Sequence, residues 1–101
     1  MAVYVDDYFL QATVPNGNRK VRGEWCHMQA DTREELDAMA DRIGLKRSWI
    51  QYPDNPVRRH YDVTRPRREA AVRAGAIELT ILELARLRKQ WRQDVAEGDR
   101  K

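Results

Sequence analysis

The chain has a single cysteine, Cys26. A lone thiol excludes an internal disulfide and points to a reducing compartment, so a cytoplasmic protein is expected. The start of the chain has no basic stretch followed by an apolar run of the kind that directs secretion. No apolar run approaches the roughly 20 residues that a membrane-spanning helix needs, and mean hydropathy is −0.84. Metal signatures legible from spacing are missing too, with no HExxH and no pair of CxxC knuckles. Histidine is scarce as well, occurring only at His27 and His60.

What remains is a polar chain of 101 residues, enough for one domain with a single two-layer core. Residues 1–95 are expected to form that domain and residues 96–101 a frayed tail. Hydrophobic residues make up 42% and charged residues 35%, so the core is small and a homodimer would help to stabilise it. Net charge is +3, unevenly placed. Between Asp31 and Arg42 five acids stand against two arginines, a net of −3; between Arg58 and Arg73 six arginines stand against two acids, a net of +4. The basic stretch is an electrostatic footprint for a phosphate-bearing ligand or nucleic acid. Taken structurally, the two stretches are solvated helix faces that attract each other within the fold or across a dimer.

Local patterns predict an α/β fold built from two strand–helix–strand units, with an N-terminal hairpin and a long C-terminal helix. Ala2–Val5 and Tyr8–Val14 read as strands, and Asn16-Gly17 as hairpin turn chemistry. Glu24–Ala30 suits a half-buried strand. Asp31 or Thr32 can cap the helix that follows, with Glu34 three residues after Asp31, and Leu36, Met39, Ala40 and Ile43 recur at helical spacing before Gly44. Ser48–Tyr52 reads as a third strand, Pro53–Pro56 as a rigid loop, and His60–Val63 as extended. Thr64 and Gly75 bracket a second helix and Ala76–Leu79 a short strand. Thr80 with Glu83 then starts a last helix whose apolar stripe is Ile81, Leu84, Leu87, Trp91 and Val95. Crossovers of this kind normally join parallel strands, which would set His27 and His60 at equivalent C-terminal strand ends on one sheet edge.

Several polar residues could carry chemistry there. His27, His60 and Asp62 are the candidate catalytic residues, and these three with Asp6 and Asp7 are the candidate ligands of a divalent metal ion, the one cofactor these residue types suggest. His60 and Asp62, two apart on a strand, point the same way. A surface hydrogen bond between them, or Asp62 capping the next turn, would explain the pair without any chemistry. Cys26 cannot serve as a nucleophile beside His27, because adjacent strand residues face opposite ways. Arg65, Arg67 and Arg68 stand at a helix start, where free amides already favour an anion. Trp49 and Gln51 could stack on and hydrogen-bond a base.

Tyr4-Val5-Asp6-Asp7, Cys26-His27-Met28 before Ala30-Asp31-Thr32, Arg47-Ser48-Trp49-Ile50-Gln51, His60-Tyr61-Asp62-Val63 and Ala74-Gly75-Ala76 together resemble domain-of-unknown-function family 4031. The likeness runs from about Ala2 to Leu84. It implies a small accessory protein of the kind found in bacteria, actinobacteria among them, and in phages and prophages, acting in the host cytoplasm if phage-encoded. It implies no activity. The family's polar motifs fall on Asp6, Asp7, His27, Asp31, Gln51, His60 and Asp62. A longer Pro15–Val21 segment and a basic tail after Leu84 depart from it. The residues favour a binding protein for a phosphate-bearing ligand, nucleotide or nucleic acid, or for a host or phage protein. The alternative is a metal-assisted hydrolase or nuclease with a His/Asp site.

Overall fold

The computed structural model describes residues 2–16 and 19–101. In chain order it contains β1 (Val3–Val5), β2 (Leu10–Asn16), β3 (Arg19–Ala30), α1 (Arg33–Arg42), β4 (Tyr61–Thr64), α2 (Arg65–Arg73), β5 (Ile77–Glu78) and α3 (Ile81–Ala96). The long strand β3 organises the sheet. Trp25 pairs with both Leu10 and Thr64, and Met28 with both Val5 and Tyr61. Strands β2 and β1 are therefore successive lengths along one side of β3, and β4 runs along the other. β5 extends the sheet beyond β1, parallel to it. The β2–β3 ladder runs as far as Asn16 opposite Arg19, as a hairpin requires, while the expected turn residue Gly17 lies outside the described residues.

The α/β class and the second expected strand–helix–strand unit, β4–α2–β5, are present, whereas the first lacks its expected closing strand and α1 leads instead to β4. Strand direction differs from expectation, because β3 and β4 are antiparallel neighbours. Only the second unit joins strands that run the same way. The expected third strand over Ser48–Tyr52 is a 3-10 turn at Arg47–Trp49 followed by one bridge between Gln51 and His60. The reason lies in adjacent Trp49 and Ile50, both packed against the core; a strand would have turned one of them to solvent.

Capping chemistry sets the helix ends. Thr32, not Asp31, caps α1, accepting from the Glu35 amide at 3.2 Å while its hydroxyl donates to the Glu35 carboxylate at 2.9 Å. Asp31 instead accepts from the Ala2 amide and the Tyr4 hydroxyl. Both α1 and α2 end in Schellman turns, with Leu45 donating to Ala40 and Ala76 to Ala71. These turns put Gly44 at φ +82° and Gly75 at φ +107°, the left-handed region where a β-carbon is penalised. Thr80 and Glu83 form the expected capping box on α3.

Alternation along the strands divides the sheet into two unlike faces. Val3, Val5, Cys26, Met28, Ala30, Tyr61 and Val63 pack with Leu36, Met39 and Ala40 of α1, Ile43 just after it and Ala71 of α2. Tyr4, His27, Gln29 and Asp62 stand on the other face, which α3 partly covers. There the Trp91 ring lies 6.2 Å from that of Tyr4, and Arg88 Nε donates to Gln29 Oε1 at 2.5 Å. The buried stripe of α3 is narrower than expected, since Leu84 and Trp91 are buried but Ile81 and Val95 are exposed. The tail does not fray at Arg100, whose guanidinium donates to the carbonyls of Ala30, Asp31 and Pro56 and stacks 3.9 Å from the centre of the Trp91 ring.

Candidate metal centre on the polar face

The site begins with an irregularity in the sheet. Val5 pairs with Met28 and Leu10 with Trp25, so the four residues 6–9 stand opposite only Cys26 and His27. The chain must bulge, and Asp6 repairs the broken ladder with its side chain. Asp6 Oδ1 accepts from the His27 amide at 2.9 Å and the Tyr8 amide at 3.3 Å, while Oδ2 faces His27 Nδ1 at 2.7 Å. Arg68 Nε holds the Asp6 carbonyl at 2.7 Å. Asp6 is fully buried. Burial alone would raise its pKa, but the bonds from the His27 ring, the His27 amide and the Tyr8 amide together hold it below the ordinary carboxylate value. Asp6 is thus an ionised acceptor, and His27 Nδ1 must carry the proton.

His60 reaches the same tautomer by another route. Its Nδ1 lies 2.7 Å from the Arg58 carbonyl, which can only accept, so Nδ1 donates there. In the neutral rings both Nε2 atoms keep a free lone pair. Antiparallel register then brings the third group in, because His27 and Asp62 are directly opposed on β3 and β4. The two imidazole centres are 5.2 Å apart, edge to face. His60 Nε2 lies 3.3 Å from Asp62 Oδ1, and Gln51 donates to Asp62 Oδ2. One ligand atom from each of His27, His60 and Asp62 lies within 4.8 Å of the other two, a spacing that a single divalent ion can bridge. Buried carboxylate, carbonyl and amide partners behind such ligands are what orients them in metal sites.

The histidines open into a cavity of about 350 Å³ also lined by Tyr52, Val57, Arg58, Arg88 and Arg92. Tyr8 stacks on His27 with centroids 5.5 Å apart, and the Arg58 guanidinium sits 4.0 Å above Tyr52. Tyr52 has φ +52°, a strained value for a residue with a bulky side chain. Buried Gln29 braces the wall, donating to the carbonyls of Val57 at 2.8 Å and Arg59 at 2.9 Å. Burial lowers the pKa of Arg88 from its ordinary value, partly offset by Asp6.

The sequence candidates divide accordingly. His27, His60 and Asp62 converge, Asp6 backs His27, and Gln51 orients Asp62. Asp7 stays away, accepting from the Ile81 amide at 2.8 Å at the start of α3. Arg65, Arg67 and Arg68 of α2 do not form a free anion cluster. Arg65 pairs with Glu24 at 2.6 Å, Arg67 donates to the Ile43 carbonyl, and buried Arg68 holds Asp6 and Glu78. Trp49 is packed on the core rather than presented to a base. Cys26 faces away from His27, accepts from the Phe9 amide, and has its pKa raised by burial. Sequence reading missed Gln29, and it counted Arg58 in the basic stretch, Tyr52 with Trp49 and Gln51, and Arg88 and Arg92 in a basic face of the last helix without joining them to the histidines. The i,i+4 pair Arg88 and Arg92 on one helix face and the i,i+2 relation of Gln29 to His27 were legible signals; the backbone of Tyr52 has none.

Residues 3–91 match the family described as Protein of unknown function (DUF4031). The chain belongs to that family, and the match reaches Trp91, past Leu84 into the basic part of α3 that was expected to depart from it. No curated protein and no solved structure matches the chain. Among the described residues no helix is long and apolar enough to cross a membrane.

Proposed function

We propose that the protein binds a first-row divalent metal ion through His27 Nε2, His60 Nε2 and Asp62, and uses it to hydrolyse a phosphoester held by Arg58, Arg88 and Arg92. The observation that carries this reading is the engagement of both Nδ1 atoms, which leaves Nε2 of each ring free, beside a ligand atom from each of His27, His60 and Asp62 within 4.8 Å of the other two. Two imidazoles and a carboxylate suit such an ion and leave coordination positions for water and substrate. A bound ion would polarise a phosphoryl oxygen and activate water, and the arginines supply planar donor forks that fit phosphate. A nucleotide or nucleic acid fits the exposed aromatic rings of Tyr8 and Tyr52 beside the histidines. A bacterial cytoplasm, the host's if the protein is phage-encoded, would keep the buried thiol of Cys26 reduced.

A second reading, a binding protein without turnover, is favoured by the direct approach of His60 Nε2 to Asp62 at 3.3 Å, a pairing that needs no metal ion when Nε2 also carries a proton. Titration of chelator-treated protein with zinc or manganese tests both readings. We expect one ion per chain, weakened by His60→Gln, and metal-dependent cleavage of bis(p-nitrophenyl) phosphate. Ion uptake without cleavage would leave the binding reading, and no uptake would overturn the metal centre.

A further inference from the structure

On the far side of the 53–60 loop, a second cavity of about 520 Å³ lies between the start of α1, the loop and the C-terminal segment. Two of its wall residues are arginines without acidic partners. Arg59 is only 8% exposed, and its Nε has no hydrogen-bond partner. Arg100 spends its donors on three backbone carbonyls and its face on Trp91. Among the described residues neither forms a salt bridge, whereas Arg33 at the same wall is paired with Asp37. Burial and the charge of Arg33 lower the pKa of Arg59 against the opposing charges of Glu34 and Asp37, and burial and the charge of Arg59 lower that of Arg100 against those of Asp31 and Asp94. Arg59 is buried and Arg100 half-buried on one cavity wall, and burying a cation is costly unless an anion compensates it.

Carboxylates do line the cavity but are placed for other work. Asp31 has both oxygens occupied by Ala2 and Tyr4, Asp94 accepts from Gln90, and Glu34 and Asp99 are exposed to water. The opening turn of α1 adds donors of its own. Thr32 caps the Glu35 amide, and the two amides before it have no partner within the helix. A buried guanidinium whose Nε has no partner, a second that bonds only to neutral carbonyls and a helix N-terminus line one cavity.

We propose that this cavity is an oxyanion-binding site, distinct from the metal centre, in which Arg59 and Arg100 together hold a phosphate or carboxylate group. Arg100 lies outside the family-matched residues 3–91, so the segment that closes the site comes from the chain's own extension. The test is NMR of the full-length protein titrated with sodium phosphate and, separately, with sodium acetate at constant ionic strength. We expect saturable shifts of the Trp91 indole and the Arg59 and Arg100 Nε signals, with affinity falling about tenfold or more in Arg59→Gln and in Arg100→Gln. A response to phosphate assigns a phosphorylated ligand, and a response to acetate alone a carboxylate. If Arg59→Gln fails to fold, Arg100→Gln decides the matter. Silence with both anions, shifts confined to His27 and His60, or undiminished binding in the folded variants would overturn the site.

Discussion

The two faces of the sheet are made by the same strands and obey opposite rules. Toward α1 and α2, β3 presents Cys26, Met28 and Ala30 to an apolar layer. One residue out of phase, it presents His27 and Gln29 to charge, carbonyls and arginines. The first face is held by buried area, which is non-directional and tolerates small shifts. The second depends on donors and acceptors matched one to one, where losing one partner strands the other. Stability should therefore follow the apolar face and ligand chemistry the polar one.

The largest expected effect is on the apolar side. Leu36→Ala removes a fully buried side chain and should cost about 2–5 kcal/mol, measured by denaturant unfolding, while metal uptake by the folded fraction stays as in the parent. Loss of metal uptake in that fraction would break the separation between faces.

Asp6→Asn crosses the divide, because Asp6 both repairs the sheet bulge and sets the His27 tautomer. We expect a loss of about 1–3 kcal/mol and a fall of about 10- to 100-fold in metal affinity, read by unfolding and by ion titration. The folded pKa of Asp6 lies below its ordinary value. Its contribution to stability is therefore complete above about pH 4 and is lost as pH falls through the folded pKa. The Asn variant should lack that part of the acid limb. An unchanged acid limb would show that the Asp6 carboxylate adds nothing to folding.

The smallest effect sharpens the contrast within the apolar side. Gly44→Ala and Gly75→Ala each meet the left-handed penalty of about 1 kcal/mol. A β-carbon at Gly44 would also stand 2.7 Å from an Arg67 nitrogen, whereas at Gly75 nothing lies within 4 Å. Gly44→Ala should melt lower than Gly75→Ala, with the centre on the other face untouched. Equal melting would mean that Arg67 gives way at no cost.

Much of the fold was legible because its signals are local. The Thr80 and Glu83 capping box, the glycines after α1 and α2, and the period-two runs of β1 and β4 each draw on neighbours a few residues apart. Reading failed where two local signals competed. Asp31-Thr32 offers two caps, and the choice went to Thr32 because Asp31 was claimed by Ala2 and Tyr4. Arg65, Arg67 and Arg68 resemble an anion cluster until Glu24, Ile43 and Asp6 arrive from other elements to occupy them.

The sequence by itself determined the residue types at the centre, His27, His60 and Asp62, and the shared direction of the last two, since a strand's alternation is a property of its own backbone. Only the tertiary structure decided that β3 and β4 would be antiparallel neighbours, with His27 opposite Asp62, and that Asp6 would back one histidine while Asp7 turned to α3. Strand direction and register are set by how the apolar faces pack between distant elements. That pairing energy is absent from any short stretch of chain, so the site could be named from its residues but assembled only by the fold.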